Sequence, residues 1–147
     1  MTPPSGAALV LSIQERGALD LQSVKDQATS RRQAEEYRKR LAEVVFAFYS
    51  AKLHHPRAIF TPARERLICL RLEECGDDVS ALLYAIDGVY ADDWVMGRSN
   101  DSVKRFDTPE FIFRNWGQVE RFAESRKGYN EGKPHPLATK YHLDGAR

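Results

Sequence analysis

The chain has 147 residues and a mass of 16.8 kDa, which is room for one core with tails but not for two full cores. Hydrophobic residues make up 42% and charged residues 29%, the range of a soluble globular protein and not of a wholly disordered chain. Net charge is +1, from 22 Lys and Arg against 21 Asp and Glu, which excludes a protein that coats nucleic acid by bulk charge.

The charge is unevenly placed. Residues 1–60 hold 9 basic and 6 acidic side chains, 61–110 hold 6 and 11, and 111–147 hold 7 and 4. An acidic middle between two mildly basic ends points to partners. Thr2-Pro3-Pro4-Ser5-Gly6 and Gly17 predict a flexible N-terminal arm over 1–20. The apolar run Ala7 to Ile13 has no basic flank before it and no cleavage site, so it does not read as a signal peptide. No stretch reaches the roughly 18 apolar residues of a membrane helix.

From Leu21 to Leu53 neither Pro nor Gly interrupts, which predicts a long helix over 21–53. Its first part, Lys25 to Arg40, is charged; its second carries Leu41, Val44, Val45, Phe48 and Tyr49 at steps of three and four. The first part reads as a solvated extension or as a coiled-coil partner for another chain. Thr61-Pro62 predicts the start of a second helix, reaching Glu74 and stopped by Gly76. Asp78 is the expected cap of a third, Val79 to Tyr90, with Val79, Leu82, Leu83, Ile86 and Val89 on one face. A polar connection over Asp92 to Asp107 holds Trp94, Val95 and Met96, expected to tuck under the bundle. Asp107-Thr108-Pro109-Glu110 predicts another helix start. A last helix is expected from Gln118 to Ser125, and the Gly, Pro and polar residues after Gly128 predict a flexible tail over 128–147.

No strand-like alternation occurs, so the expected fold is all-α. It is a small compact helical bundle with a long N-terminal helix and flexible tails. The helical domain is expected over 21–127 with its core over 41–126.

Several segments, in order, carry a family resemblance over 44–125. They are Val45-Phe46-Ala47-Phe48-Tyr49, Phe60-Thr61-Pro62 with an Arg-rich helix, and Ala85-Ile86-Asp87-Gly88. Trp94-Val95-Met96-Gly97, Phe106-Asp107-Thr108-Pro109-Glu110, Phe111-Ile112-Phe113-Arg114-Asn115 and Val119-Glu120-Arg121-Phe122 follow. This pattern resembles the conserved C-terminal domain of phage and prophage replication proteins, the replisome organisers and helicase-loader-like initiators. More distantly it is similar to the DnaD-like primosomal module. The resemblance implies a non-enzymatic DNA-replication accessory domain that contacts single-stranded DNA, a replicative helicase, or both.

Single-strand binders combine cations along a groove with aromatic faces for bases. Arg114, Arg121, Arg126 and Lys127 interleave with Phe113, Trp116, Phe122 and Tyr129. The same residues also read as a core with a solvated basic face. Lys104 and Arg105 precede a helix start, where cations can hold phosphate, although Asp101 and Asp107 flank and neutralise them. Trp116, Lys104, Arg105, Arg114, Arg121, Arg126 and Lys127 are therefore the candidate nucleic-acid residues. Asp87, Asp92 and Asp93, in the acidic middle, are the candidate partner-binding residues.

No metal or cofactor is expected. The aspartates lack the alternating spacing of a calcium loop, and His54-His55 with Cys69 or Cys75 lack zinc-ligand spacing. Cys69 and Cys75, six residues apart within or just after one predicted helix, are expected about 9 Å apart, too far for a disulfide without unwinding the helix end. They read as reduced thiols of a cytoplasmic protein. No phosphate loop, nucleophile elbow or His-Glu pair offers catalytic machinery. The alternative function is an oligomeric adaptor that pairs through the 21–53 helix and has no DNA role.

Overall fold

The structure is a computed structural model and describes residues 6–99, 101 and 103–143, with side chains from residue 21 onward. Among the described residues seven helices follow in order: α1 Gly6–Lys52, α2 Pro62–Glu74, α3 Val79–Ala91, α4 Pro109–Ile112, α5 Trp116–Glu124, α6 Lys127–Asn130 and α7 Pro136–Lys140. The described residues contain no strand, and the fold is all-α.

The chain divides into two compact units, Met1–Tyr37 and Arg38–Arg147. In the first unit the backbone is helical from Gly6, ahead of the expected start at residue 21. The arm expected over 1–20 falls outside the described residues at 1–5, and outside the described side chains at 6–20. Every side chain from 21 to 36 is exposed, because this stretch carries charges on all faces and has no apolar stripe to bury.

The second unit holds the core. Leu41, Val45 and Tyr49 bring in the stripe of α1, with Leu53 just past its end, and Ile68 and Leu72 that of α2. Helix α3 is buried on nearly every face, from Val79 through Val89, as expected of a helix apolar all round. It packs along α5. Gly88 permits that approach: a Cβ there would lie 2.0 Å from the Phe122 carbonyl oxygen. No side chain fits between the two backbones.

Caps set the boundaries. Thr61 accepts from the Arg64 N–H at 3.2 Å, Thr108 from Phe111 N–H at 3.2 Å and Asn115 from Gln118 N–H at 2.8 Å. Proline follows the first two at the first helical position. Asp78, the expected cap of α3, makes no side-chain cap bond. Asp107 is not a cap either; Thr108 takes that place, and Asp107 is instead a buried acceptor, 3% exposed. The Tyr49 hydroxyl donates to the Asp107 carbonyl at 2.8 Å, and the His55 ring nitrogen meets the Asp107 carboxylate at 2.7 Å. Arg105 bonds the same carboxylate and the Leu53 carbonyl. This polar knot ties the end of α1 to the start of α4. Burial and the Asp107 charge push the Tyr49 phenol well up, so it stays a donor.

Two expectations need correction. Val95 and Met96 tuck in, but Trp94 is 52% exposed and stacks on Phe106 at 4.7 Å, since the turn after α3 directs it outward. The expected tail over 128–147 is also wrong for most of its length. It forms α6 and α7 and buries His135 and Ala138. The physical reason is a third cap-and-proline start, His135-Pro136, with the His135 ring nitrogen accepting from the Leu137 N–H at 3.1 Å. Residues 144–147 lie outside the described residues.

Candidate nucleic-acid interface

The C-terminal half of α3 supplies one wall of an open groove of about 680 Å³. Tyr84, Asp87, Tyr90 and Ala91 lie on that wall; Lys52 enters from α1, Asp93 and Arg98 from the following turn, and Arg126, Lys127 and Gly128 from the start of α6. Gly128 is a close-approach residue, since a Cβ there would meet the Tyr84 hydroxyl at 2.5 Å. The Tyr84 hydroxyl in turn donates to the Pro134 carbonyl at 3.1 Å, which holds the chain between α6 and α7 against α3.

A dyad of buried His135 and half-buried Asp87 backs this wall. His135 Nδ1 accepts the Leu137 N–H, so its other nitrogen, Nε2, carries the proton and donates to Asp87 Oδ2 at 2.7 Å. The His135 N–H donates to Ser80 Oγ at 2.9 Å, and its ring packs edge-on against Tyr84 at 4.8 Å and Phe48 at 5.3 Å. Asp87 Oδ1 faces Lys52 Nζ at 3.5 Å. Burial and the Asp87 charge raise the Tyr84 phenol, which keeps it protonated.

The cations of the groove fall into two classes. Lys52 is paired with Asp87, and Arg98 with Asp93 at 2.6 Å; both also lie over the Tyr90 ring, at 4.8 and 5.4 Å. Lys127 reaches Glu131 only at 3.6 Å and is 90% exposed. Arg126 donates to the Ser125 carbonyl, and among the described residues no carboxylate pairs with it. A second depression, of about 230 Å³, adjoins the groove through Ala91 and Arg126 and adds Arg121, Asp92, Gly88, Phe122 and Ser125. Arg121 lies over the Phe122 ring at 5.3 Å and also has no carboxylate partner among the described residues.

The structure thus brings Arg121, Arg126 and Lys127 together, and sets Asp87, Asp92 and Asp93 in the same two depressions. Each of these carboxylates is already engaged; Asp92 accepts the Val95 N–H at 3.0 Å. The other four candidates line neither depression. Arg105 belongs to the Asp107 knot, Lys104 lies over Phe106 at 5.6 Å, and Arg114 lies over Phe111 at 5.6 Å. Trp116 donates to Glu120 at 3.0 Å.

Sequence reasoning missed Lys52, Arg98, Tyr84, Tyr90 and His135. The His135-Pro136 pair was the available signal, because it repeats the Thr61-Pro62 and Thr108-Pro109 pattern.

Chemically the site offers guanidinium and ammonium groups beside the exposed Tyr90 ring. Among the described residues no three His, Cys, Asp or Glu side chains gather as a metal site. Cys69 and Cys75 are free thiols; burial pushes both up, Cys75 to about 11, so neither is an activated nucleophile near neutral pH. Compared with family models, curated proteins and solved structures, the chain matches none.

Proposed function

We propose that this chain is a phage-type DNA-replication accessory protein without catalysis of its own, which holds single-stranded DNA along the groove beside α3 and works with a replicative helicase in the cytoplasm. The observation that carries the DNA contact is the corner formed by Arg121, Arg126 and Lys127. The two arginines are not neutralised from within, and the corner borders the groove that the exposed Tyr90 ring lines. Phosphates favour such cations, and bases favour such rings whatever their sequence. The replication context and the helicase rest on the resemblance over 44–125. Among the described residues no helix is long and apolar enough to cross a membrane.

A fluorescence-anisotropy titration with a labelled oligo-dT at low salt tests the reading. Wild-type chain binds in the micromolar range, and Arg121→Gln with Arg126→Gln together weaken binding about tenfold. No binding at tens of micromolar, or an unaffected double variant, contradicts it.

A second reading is an adaptor that pairs through α1, on which Leu21 and Val24, three positions apart, are exposed apolar side chains. Light scattering decides it, since a monomer at high concentration removes that reading.

A further inference from the structure

The smaller depression differs in kind from the groove beside it. Its volume of about 230 Å³ is below the roughly 300 Å³ of a pocket for a whole small molecule. That space suits one phosphoryl group together with several waters. Gly88 lies in its lining, where α3 touches the α5 backbone. Two guanidiniums, Arg121 and Arg126, border it without a carboxylate partner among the described residues. The one acid present, Asp92, already accepts the Val95 N–H and leaves the cations in excess.

Two guanidinium forks suit a dianion better than a monoanion. A phosphate inside a strand carries one negative charge, while a terminal phosphomonoester carries about two near neutral pH. Guanidinium also matches phosphoryl oxygens in pairs. Arg126 faces both depressions, so a strand whose end sits in the smaller one continues directly into the larger. We propose that the depression bordered by Arg121 and Arg126 is a phosphomonoester subsite that takes the terminal phosphate of a single strand lying in the groove. This rests on the reading of the groove as a single-strand site.

The test uses the full chain and three oligo-dT probes of equal length: 5′-phosphorylated, 3′-phosphorylated and without a terminal phosphate, each labelled away from the phosphate. One phosphorylated probe is expected to bind about fivefold more tightly than the bare strand, a preference that disappears in Arg121→Gln. Thymidine monophosphate that displaces the bare strand from wild type but not from Arg121→Gln supports the same subsite, with a free nucleotide as the source of the phosphate. Equal affinity for all three probes, with no effect of the monophosphate, overturns the subsite and leaves the groove reading standing. Binding of none of them overturns both. The wild-type comparison stands even if Arg121→Gln folds poorly.

Discussion

Arg105 and Arg126 carry the same charge and do different work. Arg105 is bound to the Asp107 carboxylate and the Leu53 carbonyl, and so holds the end of α1 to the start of α4. Arg126 has no such acid and faces two depressions. Asp107→Ala removes the acceptor of both His55 and Arg105; it should cost about 2 kcal/mol in denaturant unfolding, moderated because Arg105 remains partly in water. Arg126→Gln should leave stability within about 0.5 kcal/mol of wild type and lower only the affinity for single strands. The pairing of Arg105 was legible in the chain, since Asp107 lies two residues away. The class to which Arg98 and Lys52 belong was not. Lys52 meets Asp87 from 35 positions away, and only the packed core sets that register.

At the scale of elements, composition predicted α2 closely because cap, proline, apolar stripe and stop all agree there, and α3 because its apolar run is unbroken. It failed after Gly128, where glycine and proline density suggested a tail. In the structure Gly128 gives room for the Tyr84 hydroxyl, and Pro136 opens α7 behind its His135 cap. His135→Ala removes both that cap and the donor to Asp87. It should cost about 2 kcal/mol, read as a lower denaturant midpoint. A variant as stable as wild type would mean the segment contributes nothing to the fold. Gly88→Ala tests the other junction. Its methyl would collide with backbone and not with a pliable side chain, so about 3 kcal/mol of destabilisation and a lower Tm are expected.

For the molecule as a whole, the near-neutral sum conceals a local arrangement. Asp87 and Asp93 pair with Lys52 and Arg98, while Arg121 and Arg126 have no carboxylate partner among the described residues. The buried acids of high pKa give a second molecular property. Cys75 is pushed up to about 11 and Tyr49 higher still, so the unfolded chain gives up these protons first. Stability should therefore be full below about pH 9 and fall as pH rises through 11, seen as a declining Tm.

A single-strand site at Arg121, Arg126 and Lys127 is tested most directly by salt. Each neutralised phosphate contributes about −0.7 to the slope of log affinity against log salt for a single strand. With Arg121, Arg126 and Lys127 engaged, wild-type chain should give a slope of about −2 on oligo-dT, and Arg121→Gln with Arg126→Gln about −0.7. A slope near zero, or the same slope in both proteins, would contradict the account.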